Sequence, residues 1–586
     1  MALFFKPAKR SFVFLNITQF LGALNDNMFK LLVVYMLISF QGIDQASRIL
    51  AFTGAVFVIP FLVFSSASGV LADRISKRKI LVWMKVLEVL VMLLSLAAVF
   101  YKSVFGVYAL LFLLAAQCSV FGPSKYGIIP EIVATRKISK ANGILNSLTY
   151  IAIILGTFLA SLVADLTNKN FLLSSFFCLV IAIFGLLAVL KIERTLPQRS
   201  KQRINPFFFY EIYQTLALAF KRKHLLPAIC GSSFFLFMGG YVQLNTIPYA
   251  IQSLHLSDVG GGYLFLATAI GIAAGSLVVG KISKDNVDLG ISCTAGFFIA
   301  FFLILLGFFP KNLFFSIFLL IMLGFFGGLF LIPFDAFIQL KSPENRRGQI
   351  IAATNFFSFS GVLIASILLW FVNDFLSLKA KDGFLILGLI TLVFNLVNTG
   401  RLSDLFFSYL VRKILSKFYL FEINRAIPPR SAIILKKFSW IDALSLFRAN
   451  PNLKVLVQAK KYREFPFFDI LTDTLAIIPK KKLNAQTIQH KADKIQDSKN
   501  TVFCLLFKKK IDPSILEERF EHLFYLETIR VRLVKKKFFF KRRKTLIKAV
   551  LEEIPRQTQF ASKTLPSSSF GPAENQVLPN EEKPLS

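Results

Sequence analysis

The chain of 586 residues is 55% hydrophobic and only 17% charged, where an ordinary soluble domain carries roughly 25% charged residues. That apolar excess is too large for a soluble core, and the 67 Phe residues gather in runs such as Phe297 to Leu303. The formal net charge of +35 suits either anionic lipid or nucleic acid. Because the basic segments directly follow apolar spans and stay near a bilayer, anionic membrane lipid is the expected partner and nucleic acid is not.

Twelve apolar segments are long enough to cross about 30 Å of hydrocarbon as helix. They lie at about 12–40, 49–72, 80–101, 104–122, 141–164, 171–191, 225–252, 260–281, 289–309, 312–334, 348–373 and 383–408. The first is too long for a signal-peptide core and lacks a small-residue cleavage site, so no cleaved leader is expected. Lys6, Lys9 and Arg10 precede span one, Arg74 to Lys79 join spans two and three, and Arg136, Lys137 and Lys140 precede span five. The opposite loops, such as Gln41 to Ser47, are nearly free of Lys and Arg. By the positive-inside rule the basic side is cytoplasmic, and an even number of spans puts both termini there.

The basic connection at 193–224 divides the spans into halves of six, at 1–192 and 225–408. The halves echo one another. Pro123-Ser124-Lys125 through Asn146 to Ser161 corresponds to Pro333-Phe334-Asp335 through Asn355 to Ser366, and Gly69 to Arg74 corresponds more faintly to Gly280 to Asp285. Two related six-helix halves around a midplane site is a rocking-bundle architecture. Gly271 with Gly275 in span eight, and Gly156 with Ala160 in span five, allow close helix contact. They fit either a lateral seam that opens to lipid or ordinary packing. Cys118, Cys178, Cys230, Cys293 and Cys504 stand singly, which gives no disulfide framework and no zinc site. No cofactor is expected.

Gly69-Val70-Leu71-Ala72-Asp73-Arg74-Ile75-Ser76-Lys77-Arg78-Lys79 joins two apolar helices by a very short loop. Asp73 can pair with an Arg or with a helix N-terminus, and the basic cluster, with Arg74 and Arg78, can anchor at anionic headgroups. The segment resembles the loop between helices two and three of the major facilitator superfamily. The fold class expected is therefore an all-α membrane protein, a twelve-helix major-facilitator bundle.

Gln19-Phe20-Leu21-Gly22-Ala23-Leu24-Asn25-Asp26-Asn27-Met28-Phe29-Lys30 places polar groups inside an apolar helix. A carboxylate there is expensive and must face a cavity or a partner. Phe121-Gly122-Pro123-Ser124-Lys125-Tyr126-Gly127 supplies a cation at the inner end of span four. Both segments, with Ala141-Asn142-Gly143 and Ile153-Ile154-Leu155-Gly156, resemble the bacterial lysophospholipid transporter family. That resemblance implies movement of lysophospholipid, especially lyso-phosphatidylethanolamine, across the bacterial inner membrane to the cytosolic leaflet. Asp26 and Lys125 are then the charged binding residues, with Asn25, Asn27 and Lys30 beside them. An ammonium would meet Asp26 and a phosphate Lys125. Two alternatives stay open: an ion pair that only fastens the bundle, and a generic proton-coupled exporter of amphipathic compounds.

After about Gly400 the text becomes mixed apolar and charged, as expected of an α/β domain at 409–556. Ile433 to Leu446 resembles the signature of glycerophospholipid acyltransferases, in which a His stands five residues before an Asp. Asp442 matches the Asp, but Lys437, after Lys436, occupies the His position. A protonated Lys cannot serve as the general base that this chemistry needs. The family's second motif, Phe-Pro-Glu-Gly followed by Arg, is also missing. The resemblance therefore implies a degenerate domain and not an enzyme, docked on membrane or on a separate acyltransferase. A bifunctional transporter and acyltransferase is the alternative. Lys535, Lys536, Lys537, Lys541, Arg542 and Arg543 flank aromatics in a pattern suited to anionic headgroups. From 557 to 586 the chain is too polar to bury a core.

Overall fold

In hydrocarbon every backbone N–H and C=O must be satisfied within the chain, and apolar runs of this length do so as helices. The computed structural model describes residues 7–424 apart from 43–44, 199, 201–207, 257, 284–286 and 310–311. Beyond them it describes residue 427 and the segments 431–435, 453–459, 475–479, 502–506, 522–537 and 540–553. The helices are α1 (Pro7–Gln41), α2 (Ala46–Val63), α3 (Ser65–Arg74), α4 (Lys77–Phe100), α5 (Val104–Ile132), α6 (Ile138–Leu166), α7 (Phe171–Leu190) and α8 (Phe208–Phe220). They continue with α9 (Leu225–Leu254), α10 (Asp258–Ile282), α11 (Leu289–Phe308), α12 (Leu313–Lys341), α13 (Arg347–Trp370), α14 (Ala380–Arg401) and α15 (Ser403–Phe418). Among the described residues eleven of these are long and apolar enough to cross a membrane, and the bent pair α2–α3 brings the number to twelve when it is counted as one span. The chain forms two compact units, Met1–Lys413 and Ile414–Ser586.

Helix starts follow local side-chain chemistry. Ser103, Asn170, Asp288 and Asn312 accept hydrogen bonds from first-turn N–H groups of α5, α7, α11 and α12, which removes orphan donors at those ends. The 47° bend between α2 and α3 follows Pro60, which cannot donate to the helix ladder, and coincides with the Ser65-Ser66 pair. Each half has its own apolar core, around Leu32, Met36, Met92 and Leu111 in the first and Tyr241, Leu303, Phe330 and Phe384 in the second. Exposed aromatics such as Phe105, Phe184, Phe301 and Phe314 lie on the outer surface, where lipid is their natural solvent.

The two halves meet tightly at the end that carries the basic loops, and the contact is repeated by the pseudo-symmetry. On one side α3 packs on the start of α13. A Cβ on Gly69 would stand 2.8 Å from the Gln349 Cα, so only glycine permits this approach. Asp73 then accepts the free N–H groups of Gly348 at 2.7 Å and Gln349 at 3.0 Å, placing a carboxylate at a helix N-terminus. On the other side α10 packs on the start of α6, where a Cβ on Gly143 would stand 2.3 Å from the Ser276 carbonyl oxygen. Nearby, Asn142 and Gln339 exchange amide hydrogen bonds at 2.9 and 2.8 Å.

The structure departs from the sequence reading at several points. The basic cluster after Asp73 is not simply a headgroup anchor. Lys77 is buried against Glu131 at 2.6 Å, and Arg78 donates to the carbonyls of Ile192 at 2.7 Å and Leu190 at 3.0 Å, closing the end of α7. Arg74 and Lys79 remain exposed. The connection at 193–224 contains α8, whose Glu211 is buried and accepts from Ser66 Oγ and, at 3.0 Å, from Gln349 Nε2. The fourth span runs to Ile132, so Lys125 lies within a helix. The small-residue pairs pack inside each half and not along a lateral seam: Gly156 against Leu24, and Gly271 and Gly275 against Ile321 and Phe325.

In the second unit seven strands, β1 (Tyr419–Ile423), β2 (Ser431–Leu435), β3 (Leu453–Ala459), β4 (Leu475–Pro479), β5 (Val502–Leu506), β6 (His522–Lys537) and β7 (Phe540–Glu553), form a sheet of order β1-β7-β6-β2-β5-β3-β4. Among the described strands only β6 and β7 pair antiparallel, with Lys535 opposite Arg542 and Lys536 opposite Lys541. Lys436, Lys437 and Asp442, like the segment 557–586, lie outside the described residues.

Replacing Asp73 with Ala removes both acceptors from the start of α13. Thermal unfolding in detergent is expected to show a loss of about 1–3 kcal/mol, the scale of charge-assisted hydrogen bonds to a helix end.

Candidate functional site

On α1 the stripe Gln19, Gly22, Ala23 and Asp26 follows the helical i, i+3, i+4, i+7 pattern and lines a cavity of about 290 Å³ between the halves. From α5, Cys118 and Lys125 face the same space seven residues apart, about 10 Å along the axis. The second half contributes Ser232 from α9, Asp335 from α12 and Phe359 from α13. Phe61 of α2 stacks on Phe359 with ring centroids 3.9 Å apart, so an aromatic contact joins the halves beside the cavity.

Three charged groups reach this space. Asp26 Oδ2 accepts from Cys118 Sγ at 3.2 Å, while its buried Oδ1 has no hydrogen-bond partner among the described residues. The Lys125 ammonium lies 4.4 Å from the centroid of the Tyr126 ring and makes no ion pair among the described residues. Tyr126 in turn donates to Asn146 Oδ1 at 3.1 Å. Asp335 accepts from Ser232 Oγ at 2.7 Å.

Behind Asp26 lies a second cluster with a different character. Lys85 and Glu88 of α4 form an ion pair at 2.5 Å with side chains only 2% and 1% exposed. Asn25 Nδ2 donates to Glu88 at 3.1 Å, and the Lys85 ammonium stands 5.4 Å from the Phe121 ring centroid. This pair has its own partners and is not among the residues that line the cavity, so it fastens α4 to α1 and α5. Among the described residues no group of three or more His, Cys, Asp and Glu comes together to hold a metal ion.

Of the residues expected to bind a ligand, Asp26 and Lys125 line the cavity, whereas Asn25, Asn27 and Lys30 do not. One residue is a turn of about 100° on a helix, which carries Asn25 toward Glu88 and lets Asn27 bond the Ala23 carbonyl of its own helix at 2.7 Å. Lys30 instead packs on the Phe57 ring, 4.8 Å from its centroid. Cys118 is more than an apolar filler, since it bonds Asp26. The sequence reading passed over Lys85 and Glu88, and named Asp335 only as part of the repeat between the halves and not as a site residue. The signal was present, because each is an ionisable residue within an apolar span.

The sequence profile of the Major Facilitator Superfamily matches residues 15–366. The chain belongs to the Major Facilitator Superfamily. Among curated relatives of this facilitator, the Lysophospholipid transporter LplT of Citrobacter koseri is 24% identical over 351 residues, covering 59% of this chain and 84% of the relative. The Lysophospholipid transporter LplT of Escherichia coli is 24% identical over 353 residues, covering 59% of this chain and 85% of the relative. Among solved structures, the human organic anion transporter MFSD10 has a TM-score of 0.56 at 13% identity and covers 67% of this chain and 100% of its own. The Escherichia coli fucose:proton symporter FucP has a TM-score of 0.54 at 15% identity and covers 68% of this chain and 99% of its own. These structural likenesses concern the fold of the helical part. The facilitator is a multi-pass membrane transporter.

The ion pair of this facilitator behind the cavity carries a clear expectation. Glu88→Ala leaves Lys85 buried without its carboxylate and is expected to cost about 3–5 kcal/mol in thermal unfolding. The double change Lys85→Met with Glu88→Leu removes both charges and should recover most of that loss.

Proposed function

We propose that this transporter moves lysophospholipid, foremost lyso-phosphatidylethanolamine, across the bacterial inner membrane by alternating access, with its basic side cytosolic. The observation that carries the reading is the interhalf cavity in which Asp26 and Lys125 face common space without pairing to each other. Charges left uncompensated at this depth are costly, and a zwitterionic headgroup compensates both. Its ammonium sits at the Asp26 carboxylate, whose buried Oδ1 has no hydrogen-bond partner among the described residues, and its phosphate at Lys125, where a low-dielectric wall strengthens each contact. The volume is close to the lower end of small-ligand pockets, suited to a headgroup while the acyl chain extends toward lipid. The lysophospholipid transporters among the curated relatives support the substrate class. With the basic-side seam closed, the cavity loads from the opposite side; opening the seam releases the headgroup to the cytosol.

The C-terminal unit is read as a degenerate acyltransferase-like α/β domain without catalysis. A Lys at the general-base position is what argues against chemistry. The basic hairpin of β6 and β7 suits contact with anionic membrane lipid, and a separate acyltransferase is a fitting partner for reacylation.

Leaflet-resolved fluorescence quenching in proteoliposomes tests the transport reading. The protein should move lyso-phosphatidylethanolamine at least tenfold faster than diacyl lipid, and Asp26→Ala or Lys125→Ala should each lower that rate about tenfold or more. Rates equal to those of empty liposomes reject the substrate assignment. Recovery of transport in the double variant Asp26→Lys with Lys125→Asp identifies the two as an ion pair and removes the headgroup contacts. For the C-terminal unit, the full chain should transfer no acyl group to lysophospholipid, and Lys437→His should not change this. Acyl transfer above a denatured control establishes the bifunctional alternative.

A further inference from the structure

The Lys85 ammonium lies in a slot between two glycines. A Cβ on Gly22 of α1 would stand 2.5 Å from Lys85 Nζ, and one on Gly185 of α7 would stand 3.6 Å from it. Gly22 also lines the cavity, so at this point the wall between the ammonium and the interhalf space carries no side chain. Asp26 follows Gly22 by four residues. Positions four apart on a helix have Cβ sites roughly 6 Å apart, and helical side chains lean toward the N-terminal turn, which carries the Asp26 carboxylate back toward Lys85. Lys85 acts on the Asp26 charge more strongly than Lys125 does. Yet among the described residues the ion pair of Lys85 is with Glu88, at 2.5 Å. Glu88 has further donors in Asn25 Nδ2 at 3.1 Å and Gln117 Nε2 at 3.5 Å. The Asp26 carboxylate has the Cys118 thiol and a buried Oδ1 with no hydrogen-bond partner among the described residues.

We infer that Lys85 is an exchangeable countercharge: when the cavity closes without a lysolipid, its ammonium turns to bridge Glu88 and Asp26, which lets the empty transporter return. This rests on the lysophospholipid reading above and goes beyond it. An alternating-access carrier passes through its closed state twice in each cycle, once loaded and once empty. In the loaded passage the headgroup compensates Asp26, and in the open state water does. The empty passage offers neither, and a bare carboxylate at this depth is costly. Lysine suits the task, since its ammonium carries three donors on a flexible four-carbon stem and can serve two carboxylates at once. Glu88 keeps the ammonium and its amide donors throughout, so α4 stays fastened while the second contact forms. Lys125 is placed less well for this: it lies over the Tyr126 ring, about 10 Å along α5 from Cys118, the residue that bonds Asp26. The reach of Lys85 depends on Gly22, because any side chain there would occupy the place of the ammonium.

The test separates net movement from exchange in proteoliposomes containing the full chain. Labelled lyso-phosphatidylethanolamine, in large excess over protein, is followed by leaflet-resolved quenching in diacyl vesicles with or without unlabelled lyso-phosphatidylethanolamine in the receiving leaflet. Without it every carrier must return empty; with it the carrier returns loaded. The variant Lys85→Met with Glu88→Leu removes the countercharge together with its partner. It should lower net movement about tenfold or more, because Asp26 is stranded in the empty passage, and leave exchange within about threefold of wild type. The isosteric variant Lys85→Gln with Glu88→Gln keeps hydrogen-bonding groups in the cluster and should give the same split. It takes over the test if the first variant does not fold, as judged by thermal unfolding. Net movement and exchange that fall together mark a structural role only and overturn the inference, and so does net movement that stays at the wild-type rate. Both results leave the transporter reading in place. Failure of the wild-type protein to move lyso-phosphatidylethanolamine above empty vesicles rejects the lysophospholipid reading itself, and this inference with it.

Discussion

An ionised side chain taken out of water costs several kcal/mol unless a partner or a hydrated cavity compensates it, and this constraint divides the charged residues of the bundle into two sets. Lys85 with Glu88, Lys77 with Glu131, and Asp73 at the start of α13 are matched to partners within the protein. They hold helices in register. Asp26, Lys125 and Asp335 belong to the other set: they line the space between the halves without pairing to one another. A bundle that keeps such groups must offer them something from outside. The division between fastening charges and receiving charges is what gives an otherwise apolar bundle a specific interior.

The same economy governs the contact between the halves. At the basic end the seam rests on backbone approach at Gly69 and Gly143 and on a few directed hydrogen bonds, chiefly those of Asp73 and of the Asn142–Gln339 pair. Each is local and can be broken as a unit. Glu211, carried by the segment that links the halves, touches Ser66 on one side and Gln349 on the other, so the linker helix α8 takes part in the closed arrangement. Rigid halves joined by a small number of separable contacts are suited to rocking about a central site.

Much of this was legible in the text of the chain, for reasons that differ by residue. The spans follow from apolar length alone, and Asp26 and Lys125 stand out because charge inside such a span demands an explanation. Asp73 could be read as an acid seeking a helix N-terminus. Which helix it caps could not be read, since Gly348 is 275 residues away. Asn25 and Asn27 could not be separated from Asp26 by composition, because the face turned to the cavity is fixed by how neighbouring helices pack. Lys85 and Glu88 obey the rule that singled out Asp26, yet their span is so apolar overall that the pair was passed over. α8 was hidden in a basic connection, where its apolar and aromatic residues resembled loop text. Asp335 entered the reading only as half of a repeat, and the pairing across that repeat emerges once both positions are seen to line one cavity.

The central claim is that a lysolipid headgroup crosses between the two halves, so that the basic-side seam must open for transport. Cysteines replacing Asn142 and Gln339, in a background without the native cysteines, place one thiol on each side of that seam. Bridging them with a short reducible bifunctional reagent, then measuring leaflet-resolved movement of lyso-phosphatidylethanolamine in proteoliposomes, tests the claim directly. The account predicts that bridged protein falls to the rate of empty vesicles and that reductant restores movement. Transport that continues undiminished while the halves are bridged would contradict it.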